Sequence, residues 1–233
     1  MSIDRLLAVV GVILGLPGFV LIFSSGNAAV GDIVVAAAFL FLIVAWYVGW
    51  RLRRPPFTMK TIVVRLEIFD SGGKQARLSK TYQIRPNFRH LHQMTHRNIA
   101  ADGTITDLRW NDKPISDRQI QQVLGEYEVT VDFKTPLAVG RVFEGMLSYE
   151  AANSFLEPKE GLVYVADFRS SKVTLRIDLP QSRRCTSAEL YQVRGASKIL
   201  LAGKAVIGEN GKSITAELKR PPVGAEYGIW WEW

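Results

Sequence analysis

Two hydrophobic patterns divide the chain. Residues 6–23 and 33–50 are apolar runs free of charged residues. Each has about 18 residues, roughly the minimum a helix needs to span a hydrocarbon core. Ser24 to Asp32 (SSGNAAVGD) joins them and is rich in small and turn-forming residues, which suits a tight reversal. After Pro55-Pro56 the runs give way to alternation. Ile62, Val64, Leu66 and Ile68 share one face, opposite Arg65 and Glu67. That period of two predicts a strand buried on one side. A Ser-Gly-Gly-Lys turn at Ser71 leads into a second strand over residues 76–84, and Asp102-Gly103 turns into a short one over 104–110.

Residues 85–101 carry no clear period. Ser116 with Gln119 three positions later has capping-box spacing and predicts a short helix over 116–124. From Glu126 the alternation is strong: Tyr127, Val129, Val131 and Phe133, then Val173, Leu175, Ile177 and Leu179, with further strands over 142–149, 162–168, 188–193, 199–207 and 213–218. Asn210-Gly211 marks a hairpin. Tyr227, Ile229, Trp231 and Trp233 alternate to the last residue, so this strand is expected to dock in the core. The predicted fold is mainly β. An N-terminal two-helix transmembrane hairpin (residues 1–54) precedes a cytoplasmic antiparallel β-sandwich or β-barrel domain (residues 55–233). Long βα units are absent, which disfavours a Rossmann-type nucleotide fold.

Charge sets the orientation. Arg5 precedes the first run, Arg51, Arg53 and Arg54 follow the second, and the connecting loop has neither Lys nor Arg. The positive-inside rule then places both termini in the cytoplasm and the connecting loop outside. A competing expectation is a cleaved signal peptide over residues 1–28, leaving one span. The net charge of +7 on 233 residues is spread out and favours an anionic ligand or lipid without specifying either. The single cysteine, Cys185, allows no internal disulfide and fits a reducing compartment. Gly11 and Gly15, and then Ala45 and Gly49, form small-residue faces four apart, suited to helix packing within the hairpin or to self-assembly in the bilayer.

Candidate chemistry is sparse. His90, His92 and His96 fall within seven residues but lack a metal-site pattern and read as structural, so no metal and no cofactor is expected. Cys185 beside Arg183 and Arg184 reads as an incidental loop cysteine. No nucleophile elbow, phosphate-binding glycine loop or dinucleotide fingerprint is present, and the chain is not expected to be an enzyme. A binding site is better supported. Arg85, Arg89, Arg97 and Arg109 are interleaved with Phe88, His90 and Trp110. Guanidinium forks suit phosphates and aromatic faces suit bases, so Arg85, Arg89, Arg97, Arg109 and Trp110 are the candidate ligand-binding residues. An ordinary solvated basic face is the competing reading.

Two apolar N-terminal spans, a short outer loop and a β-rich domain of this size resemble the two-transmembrane, β-strand-rich effectors of bacterial anti-phage (CBASS) defence. The resemblance is architectural and transfers no individual residue. It implies that the β domain senses a cyclic nucleotide or a protein partner. It also implies that the hairpins then oligomerise and disrupt the inner membrane. Expected partners are therefore the lipid bilayer, further copies of the chain, and a cyclic nucleotide or cytoplasmic protein, with no DNA. The alternative is a membrane-tethered β-sandwich scaffold that binds a cytoplasmic protein.

Overall fold

The computed structural model describes residues 28–53, 55–87, 90–195 and 197–233. The chain divides into two units, Met1–Pro55 and Pro56–Trp233. In the first, helix α1 (Ala28–Arg53) is described, with side chains placed over residues 36–50. Among the described residues no helix is long and apolar enough to cross a membrane. This corrects the two-helix transmembrane hairpin and the inner-membrane localisation that rested on it. The reading as a membrane-bound antiviral effector rested on it as well. The first expected span, with Gly11 and Gly15, lies outside the described residues. Within α1, Phe41, Ala45 and Gly49 recur every four residues and are its least exposed stripe, while Phe39, Trp46 and Val48 are exposed.

The second unit is built from strands β1 (Phe57–Ile68), β2 (Gln75–Pro86), β3 (Leu91–Ile99), β4 (Thr104–Trp110), β5 (Lys113–Pro114), β6 (Ile120–Val123), β7 (Glu126–Leu137) and β8 (Phe143–Ala152). It continues through β9 (Lys159–Val165), β10 (Ser170–Asp178), β11 (Ser187–Arg194), β12 (Ser197–Leu200), β13 (Ala205–Ile207), β14 (Ser213–Lys219) and β15 (Glu226–Glu232). They form an eight-stranded sheet in the order β13-β14-β10-β1-β2-β8-β4-β5, a four-stranded sheet β12-β11-β15-β9, and a three-stranded sheet β3-β7-β6. The pairing of β1 with β10 is parallel, with Met59 opposite Ser170 and Val64 opposite Leu175; the other pairs are antiparallel.

Alternation explains the core. Ile62, Val64 and Leu66 of β1 meet Val173, Leu175 and Ile177 of β10 and Ile214 and Ala216 of β14 in one buried cluster. Met94, Val129 and Val131 of the small sheet, and Leu190, Ile229 and Trp231 of the four-stranded sheet, join the same cluster. Each fully buried Val, Leu or Ile contributes about 1.5–3 kcal/mol of transfer free energy. The β1–β2 turn is closed by Asp70, whose carboxylate accepts the N–H groups of Gly72 (2.8 Å), Lys74 (3.2 Å) and Gln75 (2.7 Å). Burial alone would raise its pKa, but those three donors outweigh it and hold it below the usual carboxylate value.

Two elements differ from the sequence reading. Residues 116–124 do not form an α-helix: a single 3-10 turn (Asp117–Gln119) runs straight into β6. The capping pair is present, with the Gln119 side-chain Oε1 accepting Ser116 N–H (3.3 Å) and the Ser116 hydroxyl (2.9 Å). Ile120 then takes extended backbone and pairs with Val129, so sheet pairing overrides the local helix signal. The stretch 199–207 is split between β12 and β13, which belong to different sheets. The Asn-Gly hairpin forms as expected, with Asn210 (φ 62°) and Gly211 (φ 66°) joining β13 to β14.

Candidate functional site

The parallel β1–β10 pair sets two strand starts side by side, and β14 ends next to them. Met59 N–H donates to the Arg169 carbonyl (3.2 Å), and Arg220 N–H donates to the Ser171 carbonyl (3.0 Å). Arg220 has left-handed backbone (φ 47°) and is followed by Pro221-Pro222, which stiffen the exit from the sheet. Together Thr58, Arg169, Ser170, Ser171, Arg220 and the two prolines line a cavity of about 380 Å³.

Its electrostatics are one-sided. Arg169 and Arg220 are exposed and, among the described residues, neither guanidinium has a carboxylate partner. No Asp or Glu lines the cavity. The nearest carboxylate along β14, Glu217, is already paired with Lys172. Ser170 is 4% exposed, and its hydroxyl has no hydrogen-bond partner. A buried hydroxyl left unpaired costs about 1–3 kcal/mol. Two guanidinium forks without a carboxylate partner, set beside the strand starts, match an oxyanion such as a phosphate.

The residues singled out in the sequence lie elsewhere. Arg109 faces a groove of about 390 Å³ lined by Arg65 and Arg77 rather than by Arg85 or Arg97. Every guanidinium in that groove is neutralised: Arg65 by Asp178 (2.6 Å) and Glu67 (2.9 Å), Arg77 by Glu150 (2.9 Å), and Arg109 by Asp107 (2.8 Å). The Asp178 hydrogen bond raises the Arg65 pKa further above its ordinary value. Arg97, on β3, is paired with Glu128 of β7 (3.4 Å). Arg85 is exposed on β2, and Arg89 lies outside the described residues. Trp110 is packed among rings, with His96 at 5.1 Å and Phe133 at 6.2 Å between centroids. The sequence cluster is therefore not a spatial one. Arg169 and Ser170 were missed because their partner Arg220 is distant in the chain. The available signal was an arginine flanking each end of the paired strands.

The histidines also separate. His90 and His92 are exposed, whereas His96 is 1% exposed beneath Tyr82 (4.9 Å between centroids), with both ring nitrogens unpartnered. Burial, assisted by the Lys80 charge, lowers its pKa to about 3 and keeps it neutral. Among the described residues no three His, Cys, Asp or Glu side chains group to hold a metal ion. Cys185 is buried, its thiol donates to the Ser187 carbonyl (3.1 Å), and burial raises its pKa. It is therefore not an activated thiolate.

The fold is thus a three-sheet β domain with a basic cavity where the strands begin. No protein-family model matches the chain. The polyribonucleotide nucleotidyltransferases of Brucella ovis and Brucella suis are each 28% identical to it over 135 residues, covering 55% of this chain and 18% of theirs. The chain spans less than a fifth of the length of these curated relatives. Among solved structures, a mutant of a two-domain M1 zinc metallopeptidase bound to L-arginine matches 76% of this chain and 43% of its own at 12% identity, with a TM-score of 0.42. Native yeast LTA4 hydrolase matches 75% of this chain and 29% of its own at 10% identity, with a TM-score of 0.43. Likenesses this partial assign neither a family nor an activity.

Proposed function

We propose that the β domain is a binding module for a phosphate-bearing ligand held by Arg169 and Arg220. The observation that carries this reading is the pair of guanidinium groups lining one cavity with no carboxylate among its walls. Like charges confined together repel, and an anion bound between them converts that repulsion into two charge-assisted hydrogen-bond sets. The reading keeps the sensing role implied by the architectural resemblance and leaves out its membrane-disrupting part. A cyclic nucleotide is one ligand of this chemistry. The polyribonucleotide named for the Brucella relatives carries the same phosphodiester group.

Calorimetric titration of the full chain with pyrophosphate, a cyclic dinucleotide and a short oligoribonucleotide tests it. At least one should bind, and R169A/R220A should weaken it at least tenfold, about 1.4 kcal/mol. R85A should leave binding unchanged. Absence of binding by all three probes at low salt, or binding indifferent to R169A/R220A, rejects the proposal.

A further inference from the structure

Strand β2 carries a lysine where its pattern calls for an apolar residue. Ala76, Leu78, Tyr82 and Ile84 point inward, and Lys80 shares their face at 7% exposure. Burying an ammonium group costs several kcal/mol unless it is paired. Among the described residues no carboxylate lies within ion-pairing distance of Lys80. Its hydrogen bond, to the Asn98 carbonyl at 3.5 Å, is at the long limit. Lys80 also lines a cavity of about 260 Å³, whose other walls include Leu66, Leu78, Phe155 and Leu162 and the acidic residues Asp102 and Glu126. That volume is below the roughly 300–1,000 Å³ of drug-sized sites, so its occupant is small.

A bulge in β3 organises the polar end of this cavity. The β3–β7 register shifts between His96 and Ile99, and Asn98 takes left-handed backbone (φ 53°). Its carbonyl then meets Lys80 while its side-chain amide donates to Asp167. Burial raises the Asp167 pKa to about 6, and burial lowers that of Lys80 against the opposing pull of Asp167 and Glu126. Tyr82 and Tyr149 stay protonated beside it because burial raises their pKa values. Two acidic groups already act on Lys80, so a carboxylate ligand would be repelled, whereas a neutral carbonyl would not.

We propose that this cavity is a second binding site, one that takes a small apolar aldehyde and holds it as an imine on Lys80. The lysine nitrogen lone pair attacks the carbonyl carbon, and the C=O pair moves to oxygen. Both nitrogen protons pass to that oxygen in turn, through solvent. The C–O bond then breaks, C=N forms, and one water leaves. Amine plus aldehyde gives imine plus water, so the balance closes without an oxidant or reductant.

The test is reductive labelling of the intact chain at pH 7 with pentanal and sodium cyanoborohydride, mapped by peptide mass spectrometry. The borohydride only traps the imine. Lys80 should acquire the pentyl adduct at least tenfold faster than exposed lysines such as Lys60 and Lys74, and excess pentan-1-ol, which fits the cavity without reacting, should slow Lys80 alone. Labelling of Lys80 no faster than the exposed lysines in folded protein overturns the proposal. So does labelling that pentan-1-ol fails to slow, because the reaction would then occur outside the cavity.

Discussion

At the scale of single residues, the least satisfied group in the interior is His96. Its ring is held among Tyr82, Trp110 and Phe168, and neither nitrogen finds a hydrogen-bond partner. One nitrogen of a neutral imidazole must carry a proton, so a donor is buried unpaired, at a cost of about 1–3 kcal/mol. Phenylalanine keeps the ring contacts and removes the donor. His96→Phe should therefore raise stability by about 1 kcal/mol or more, read as a higher urea midpoint at unchanged slope. A lower midpoint would mean that the ring nitrogens make a favourable contact with the aromatic faces. Gly145 on β8 predicts the opposite sign. A Cβ there would lie 2.4 Å from the Trp110 indole, so Gly145→Ala should cost about 1–3 kcal/mol by displacing that ring. Unchanged thermal stability would show that Trp110 has room to move.

At the scale of elements, the last strand sits inside its sheet. β15 lies between β11 and β9, with Leu190 opposite Ile229 and Leu162 also opposite Ile229. Deleting residues 226–233 removes Trp231, which is 1% exposed, and unpairs two strands at once. The truncated chain should lose cooperative thermal unfolding, and Trp231→Ala alone should cost about 3–5 kcal/mol. A cooperative transition in the truncated chain would place the folding core in the eight-stranded sheet alone. This docking was legible from the alternation of Tyr227, Ile229, Trp231 and Trp233, as were β1, β2, β7, β10 and β14. Strand β3 was not, because its bulges break the period between Leu91 and Gln93 and again between His96 and Ile99. The helix expected over residues 116–124 failed because a capping pair is a local preference of about 1 kcal/mol, which pairing with β7 outweighs. The parallel β1–β10 pair, which creates the basic cavity, joins strands distant in sequence. A reading of neighbouring residues therefore gathered Arg85, Arg97 and Arg109 and passed over Arg169 and Arg220. Lys80 was visible in principle, as a charge on the apolar face of an alternating strand.

At the scale of the whole molecule, two buried groups titrate in opposite directions, and their balance fixes how stability responds to acid. Burial lowers the His96 pKa from 6.5 to about 3, so its contribution is complete above pH 6.5. It is lost as the pH falls toward 3, at about 1.4 kcal/mol per unit, because the unfolded chain takes up a proton that the folded chain refuses. Burial raises the Asp167 pKa from 3.8 to about 6, which reverses the sign. Its contribution is complete below pH 3.8 and is lost as the pH rises through 6. Between these limits the two slopes oppose each other. The native protein should therefore hold nearly constant stability from about pH 4 to 6 and weaken below pH 3.8, where the lowered pKa values of His96 and of Asp70 both favour the unfolded chain as the pH falls. Each variant exposes the other group. In His96→Phe, stability should fall as the pH rises from 4 to 6. In Asp167→Asn, which keeps an oxygen to accept the Asn98 amide, it should fall as the pH drops from 6.5 to 3. Urea unfolding at fixed ionic strength across this range measures both slopes. A flat profile in His96→Phe would mean that Asp167 is ionised in the folded state well below pH 6.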